Sequence, residues 1–254
     1  QSGMVSFNKE TSTLTLTNAS LSGIIRSSLP NLTIDLVGNN SIYSGGDRIL
    51  QAGVAVNMTI QSSADVKGLL SMHKGYSSSE KGNFVDDNVT LTISAPLAVI
   101  SGSLTDDVAK SDYYATIGVN YGITINTNDA SVVITNQNRM DVLNDGNKTV
   151  QFDGRNTLIL NGADIAGIVI GAMSPLNTTD GLTVHLTGNN KITNGTKAIA
   201  NEGNAMPLTL TTSDVEQGEL EYICTTINTL TVANDAFSGF TPINYKDNLA
   251  ASLD

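Results

Sequence analysis

Three aspartates and three tyrosines lie close together in one polar stretch, SGSLTDDVAKSDYYATIGVNYG, at residues 101–122. The aspartates are Asp106, Asp107 and Asp112, and the tyrosines are Tyr113, Tyr114 and Tyr121. Clustered carboxylates supply the oxygen ligands that calcium prefers, and a tyrosine joins an apolar ring to a hydrogen-bonding tip that suits stacking on a sugar. The stretch therefore predicts calcium ligands at the aspartates and a ligand-binding surface at the tyrosines. The alternative is that the tyrosines only pack this stretch onto the rest of the fold.

Adjacent acids at Asp86-Asp87 and Asp106-Asp107 raise the question of glycoside hydrolysis. Inverting hydrolysis needs two carboxyl groups roughly 6.5–9.5 Å apart, one of them with a raised pKa. Neighbouring residues on a strand point to opposite faces, so a bare Asp-Asp pair does not give this geometry. The sequence has no metalloprotease motif and no nucleophile elbow. We therefore expect no catalysis, and we interpret the segment DVLNDGN at 141–147 as a turn because it lacks the alternating ligands of a calcium loop.

Composition narrows the classes of partner. The formal net charge of −11 and the pI near 4.4 disfavour nucleic acid, anionic membranes and acidic polysaccharides, the last unless a divalent cation bridges the charges. Cys224 is the only cysteine, which excludes an internal disulfide framework. No apolar run is long enough for a membrane span, so membrane insertion is not expected. No signal peptide is recognisable, as is also true of a secreted chain after processing.

The elements that must position these residues are repeated. LTIDLVGNNSI at 32–42 returns as LTVHLTGNNKI at 182–192, and VSFNKETSTLTLTNASLSGII from Val5 returns as VQFDGRNTLILNGADIAGIV from Val150. Within each half, short strands of alternating apolar and polar residues recur, while helical periodicity is nearly absent. Stacked coils of a parallel β-helix explain both observations, whereas a β-sandwich explains only the alternation. The sequence therefore predicts an all-β solenoid of about nine coils, built from two duplicated halves.

These repeats also predict how the chain is divided. We expect a single β-helix domain over residues 1–254, with pseudo-repeats at 5–100 and 150–236. The first half carries two insertions that the second lacks, at 71–88 and 101–122, and inserted loops commonly carry binding sites. Residues 237–254 leave the repeat pattern, so they are a candidate cap for the last coil.

The repeat unit TLTLTNASLSG…LTIDLVGNNSI resembles that of bacterial surface proteins with the right-handed, pectate-lyase-like parallel β-helix fold. The resemblance implies an extracellular or cell-surface protein of the carbohydrate-binding or adhesin-like kind. Sugar-cleaving members of this fold commonly have a Gly-His-Gly turn and an Arg-x-Lys motif, and neither occurs here. The expected function is therefore non-catalytic binding of a polysaccharide or other glycan, with calcium as a candidate cofactor. The alternatives are a structural or adhesin-like protein that binds a protein or matrix partner and, less favoured, a polysaccharide lyase or glycoside hydrolase.

Overall fold

A computed structural model describes residues 3–75, 82–108, 110–172, 174, 176, 181–195, 199–202, 208–212, 218–224 and 231–232. The chain divides into two compact units, Gln1–Val119 and Asn120–Asp254, which are considered separately below. The predicted cap at 237–254 lies outside the described residues, as does the middle of the insertion at 71–88. The described parts of both units are built from strands and contain no α-helix, so the all-β prediction is confirmed.

The described residues of the first unit form eleven complete strands and the start of a twelfth. They are β1 (Met4–Asn8), β2 (Thr13–Thr17), β3 (Ser20–Ser22), β4 (Ile25–Ser27), β5 (Asn31–Val37), β6 (Asn39–Ser44), β7 (Leu50–Ala52), β8 (Val56–Gln61), β9 (Leu69–Gly75), β10 (Val89–Ile93), β11 (Leu97–Gly102) and β12 (Asp112–Asn126). The predicted insertion at 101–122 is therefore not only a loop, because its second half forms most of β12. Within the first unit, β12 pairs antiparallel with both β9 and β11.

In the part of the second unit that the structure describes, ten further strands follow β12. They are β13 (Ser131–Thr135), β14 (Val150–Phe152), β15 (Thr157–Asn161), β16 (Asp164–Ile165), β17 (Gly167–Ile170), β18 (Leu182–Gly195), β19 (Ile199–Asn201), β20 (Leu208–Thr212), β21 (Gly218–Cys224) and β22 (Thr231–Val232). No helix in the part of the chain described has the length and apolar character needed to cross a bilayer.

Parallel pairing between successive stretches of the chain organises the first unit. β2, β5, β8 and β10 form one parallel ladder, β3, β6 and β9 form a second, and β4 and β7 form a third. The register places like residues on like: Leu32 lies opposite Met58, and Ile34 lies opposite Ile60, all buried. Aliphatic side chains at alternate positions thus form the core, while the intervening threonines lie on the other face. The second unit repeats this plan with β15, β18, β20 and β22.

The Gly-Asn-Asn sequence forms the corner between two of these ladders. Gly38 lies between β5 and β6 with φ 66°, and Gly188 has φ 63° inside β18, where its pairing changes from β15 and β20 to β16 and β21. Side chains other than glycine and asparagine are strained at such positive φ values. The repeat in the sequence is thus a repeated corner, which directs each strand into the next ladder.

The strands β1 and β14 begin the two pseudo-repeats, and they differ at their outer edges. The outer edge of β14 is hydrogen-bonded, whereas β1 lies at the edge of its sheet. β1 and β14 both pair antiparallel with the strand that follows. In the second unit, the N–H of Phe152 donates to the carbonyl of Arg139 and the N–H of Val142 donates to the carbonyl of Val150, so the outer edge of β14 is satisfied. β1 instead is the edge strand of its sheet, with Phe7 about half exposed.

The DVLNDGN segment is a turn, as predicted, and it uses its carboxylates on its own backbone. Asp141 accepts hydrogen bonds from the N–H groups of Asp145 and Gly146, while Asp145 accepts from the N–H groups of Asn147 and Lys148. The Thr149 hydroxyl also donates to Asp145, and this bond is the main reason that the pKa of the Asp145 carboxyl lies below its ordinary value. These contacts stabilise the ionised form of Asp145, so the stability of the turn should fall when this carboxylate is protonated in acid.

Replacing Asp145 by alanine should destabilise the protein near neutral pH, with an effect that shrinks in acid. Because the folded-state pKa is lowered, the stabilisation is fully present above the unfolded value of about 3.9 and is lost as the pH falls through the folded value. Urea unfolding of the wild type and Asp145→Ala, measured from neutral pH down to about pH 2.5, tests this. Asp129→Ala, at an exposed position in another turn, is the control. A difference in unfolding free energy that stays constant across the range would contradict the assignment.

Candidate functional site

Asp106 lies in the segment between β11 and β12, and its carboxylate contacts other residues of that segment. It forms an ion pair with the Lys110 ammonium and accepts a 2.9 Å hydrogen bond from the N–H of Val108. The hydrogen bond from Lys110 lowers the pKa of Asp106, and the same bond raises the pKa of Lys110. Asp106 is thus held in its ionised form by a cation from its own segment.

Tyr113 anchors the segment before β12 through its buried ring and its hydroxyl. Its ring is buried, its hydroxyl donates to the carbonyl of Val108 at 3.0 Å, and the same oxygen accepts the N–H of Lys110 at 2.9 Å. Gly82 lies against it, since a Cβ there would come within 2.8 Å of the Tyr113 ring. The packing alternative therefore describes Tyr113, which presents no face to a ligand.

Tyr121 belongs to the second unit and is also buried. Its ring packs against Phe152 with centroids 4.8 Å apart, and its hydroxyl, in the described structure, has no hydrogen-bond partner. Burial raises the pKa of this hydroxyl. Of the three tyrosines predicted to bind a ligand, Tyr114 alone exposes its ring to solvent.

The three candidate calcium ligands are placed differently. Asp106 is paired with Lys110, Asp107 is exposed, and Asp112 stands on the outer face of β12 with its Oδ2 3.9 Å from Nδ1 of His73. Within the described ranges, no group of three or more aspartate, glutamate, histidine or cysteine side chains is arranged to hold a metal ion. Calcium binding by Asp106, Asp107 and Asp112 stays a prediction.

A row of three aromatic side chains crosses the exposed face of β6, β9 and β12. The strand register places Tyr43 directly opposite His73, and His73 directly opposite Tyr114. Tyr43 is 53% exposed and Tyr114 is 52% exposed, while the His73 and Tyr114 rings lie 6.3 Å apart at 33°. We call Tyr43, His73 and Tyr114 the aromatic row. Two strand spacings give it a length of about 10 Å.

Hydroxyl groups border one side of the aromatic row. Two residues before Tyr43 and His73 on their strands, Ser41 and Ser71 form the next cross-strand pair on the same face. The pairing continues to Ser20 on β3, whose hydroxyl accepts a 3.1 Å hydrogen bond from Ser41. Hydroxyls both donate and accept hydrogen bonds, so this border suits a ligand rich in hydroxyls.

Two glycines and a carboxylate border the other side. Gly45 and Gly75 lie two residues beyond Tyr43 and His73, and Gly75 is opposite Asp112 in the register. A Cβ on Gly75 would lie 3.0 Å from the carbonyl oxygen of Gly45, so the two backbone segments are in close contact. The Asp112 side chain is 60% exposed, and its Oδ1 accepts the N–H of Tyr113 at 3.0 Å. The two glycines of this border have no side chains, and the border ends at the negatively charged Asp112.

The second unit does not reproduce the aromatic row. When the buried Asn40 is matched to the buried Asn190, Tyr43 corresponds to Thr193 and His73 to Ile223. The serine border becomes a line of opposite charges, with Asp164 opposite Lys191 and Lys191 opposite Glu221. The two copies thus share their corner and differ on this face, which shows that the fold itself does not require the row.

The sequence pointed to Tyr114 as a ligand-binding residue and to Asp112 as a calcium ligand, but it did not point to Tyr43 or His73. These residues are 30 or more positions apart in the chain, and only the pairing of β6, β9 and β12 brings them together. A local signal existed, since Tyr43 stands at an outward position of NNSIYS where the second copy has threonine.

No family model, curated protein or solved structure matches this chain. What the fold and the site define is an all-β protein that carries a half-exposed aromatic row on one strand face.

Proposed function

We propose that this chain is a non-catalytic extracellular or cell-surface module that binds a glycan through the aromatic row. One observation carries the proposal: Tyr43, His73 and Tyr114 stand side by side and half exposed on adjacent strands. Flat rings with polar tips match the alternation of C–H faces and hydroxyls on a sugar. Surface aromatics scattered singly are normal, whereas aromatics gathered at neighbouring positions of one face favour a binding surface.

We also propose that the strands wind as a right-handed parallel β-helix of about nine coils. The support is the three parallel ladders of the first unit, each of which takes one strand from successive stretches of the chain. In such a coil, equivalent side chains of neighbouring turns align about 4.8 Å apart. Tyr43 and His73 align in this way across the parallel pair β6–β9, and the antiparallel neighbour β12 adds Tyr114, so the ligand chain would lie across the strands.

The state of the carboxylates favours binding over hydrolysis. A glycosidase needs one carboxylic acid with a raised pKa as proton donor and a second carboxylate across the scissile bond. The pKa of Asp106 is instead lowered by Lys110, which keeps this residue ionised. Asp112 adjoins the row, where its exposed oxygen is suited to accept hydrogen bonds from sugar hydroxyls.

Removing the tyrosine rings should weaken glycan binding without unfolding the protein. We expect Tyr43→Ala and Tyr114→Ala each to lower the affinity about 5- to 30-fold, the loss of about 1–2 kcal/mol of ring contact. The measurement is a screen of neutral and acidic oligosaccharides on a glycan array, followed by titration calorimetry of the best ligand. Thr193→Ala, at the position that matches Tyr43 in the second unit, is the control and should bind as the wild type does.

Two outcomes would overturn the proposal. The first is a wild-type protein that binds no glycan on the array. The second is a Tyr43→Ala/Tyr114→Ala double variant that binds the selected glycan as tightly as the wild type. Titrations in calcium and in chelator also test the candidate role of calcium at Asp106, Asp107 and Asp112, because ligation there would make the affinity calcium-dependent.

A further inference from the structure

Asp112 and the glycine border define which glycans the aromatic row can accept. We propose that the site takes a neutral glycan, whose hydroxyls donate to the Asp112 carboxylate, and that it excludes glycans made of uronic acids. This inference rests on the proposed function and names the ligand class of the same site.

Asp112 stands where a ligand on the row would meet it. It lies two residues before Tyr114 on β12, so the two side chains share the exposed face. One carboxylate oxygen accepts the N–H of Tyr113, and the other lies 3.9 Å from His73 Nδ1, beyond a normal hydrogen bond. An exposed carboxylate therefore borders the central ring of the row.

The chemistry of an ionised carboxylate sets the preference. It can only accept hydrogen bonds, and a sugar hydroxyl can donate one. A uronate offers a second anion in place of a donor, and like charges a few ångströms apart repel. Lys110, the cation of the same segment, is bound to Asp106, and the protein as a whole carries −11. The exposed Asp112 carboxylate and the negative net charge of the protein thus both favour an uncharged ligand.

The glycine border lets such a ligand come close. Gly45 is exposed, and a Cβ added there would meet no atom of the described residues within 4 Å. Glycine in or beside a strand commonly marks a bulge, a bend, or a place where a ligand or another backbone approaches closely. A sugar stacked on Tyr43 and His73 can therefore settle against the backbone and reach Asp112. The length of the row, about 10 Å, accommodates about two sugar rings.

Two variants test the inference, each with a matched control. Asp112→Asn keeps the shape of the side chain and removes its charge, with Asp129→Asn as control at an exposed turn. Gly45→Gln places a side chain over the glycine border, with Gly53→Gln as control at another exposed glycine that has open space around it. The probes are cellotetraose, xylotetraose and maltotetraose as neutral ligands and tetragalacturonate as the acidic one. Each is titrated in chelator at one fixed, mildly alkaline pH.

We expect the wild type to bind at least one neutral tetrasaccharide and not tetragalacturonate. Gly45→Gln should lower the neutral affinity tenfold or more with an unchanged melting temperature, and Asp112→Asn should lower it about 5- to 20-fold. Both control variants should bind as the wild type does.

The outcomes separate this inference from the proposed function. Tetragalacturonate bound in place of the neutral probes would overturn the inference and leave the glycan-binding function standing. Neutral binding that is unaffected in both Asp112→Asn and Gly45→Gln would do the same. Absence of binding to any glycan, here or on the array, would overturn the function and the inference together.

Discussion

Asn40→Asp is expected to destabilise the protein by about 3–5 kcal/mol, although it exchanges a single amide for a carboxylate of the same shape. The Asn40 side chain is buried at the Gly-Asn-Asn corner. Its Oδ1 accepts the N–H of Ala19 at 2.8 Å, and its Nδ2 donates to the carbonyls of Val37, Gly38 and Leu69 at 3.2–3.3 Å. One side chain thereby joins three successive stretches of the chain. An aspartate would turn its second oxygen toward three carbonyl oxygens, with no proton to donate.

The measurement is urea unfolding followed by circular dichroism, with Asn39→Asp as the matched control. Asn39 is the exposed neighbour in the same corner, so its variant should stay within about 0.5 kcal/mol of the wild type. Lowering the pH should restore part of the loss in Asn40→Asp, because a protonated carboxyl regains a donor. An Asn40→Asp protein within about 1 kcal/mol of the wild type would show that the amide is not the clamp of the corner.

Phe152→Ala should cost about 3–5 kcal/mol of unfolding free energy, whereas Phe7→Ala should cost less than about 1.5 kcal/mol. The two phenylalanines occupy the same position of the two pseudo-repeats, in β14 and β1. Phe152 is 1% exposed and packs against Tyr121, while Phe7 is 46% exposed at a sheet edge. Truncation of the buried ring removes its contacts and leaves a cavity, and truncation of the exposed ring does neither in full.

Unfolding of the two single variants at several protein concentrations tests this expectation. Since the sequence context of both residues is alike, each serves as the control for the other. Equal losses for Phe7→Ala and Phe152→Ala would contradict the exposure difference on which the prediction rests. A loss for Phe7→Ala that grows with protein concentration would show that β1 is covered by another molecule in solution.

The strands and their repetition could be predicted because they depend on local patterns. Alternation such as that of Leu32, Ile34 and Leu36 is visible within a few residues, and it implies one buried face whatever the strand pairs with. Glycine at positions 38 and 188 likewise signals positive φ without knowledge of the fold. Asn40 belongs to the repeated Gly-Asn-Asn sequence, but two of its four side-chain hydrogen bonds reach Ala19 and Leu69, which no local pattern indicates.

Local sequence patterns do not indicate which residues of the candidate site are exposed or adjacent. Tyr113 and Tyr114 are adjacent residues of the same type. Because neighbouring side chains on a strand point to opposite faces, Tyr113 is buried in the core and Tyr114 is exposed to solvent. Which of the two is exposed depends on the phase of β12, and that phase is set by its pairing with β9. The same pairing brings in His73 and, through β6, Tyr43, which the sequence places far away.

The sequence by itself therefore determined the all-β character and the glycine corners, since these follow from residue types within a few positions of one another. The tertiary structure alone decided the aromatic row and the burial of Tyr113 and Tyr121. The physical reason is register. Hydrogen bonding between strands fixes which residues become neighbours, and a shift of one residue would turn every side chain of a strand to the opposite face.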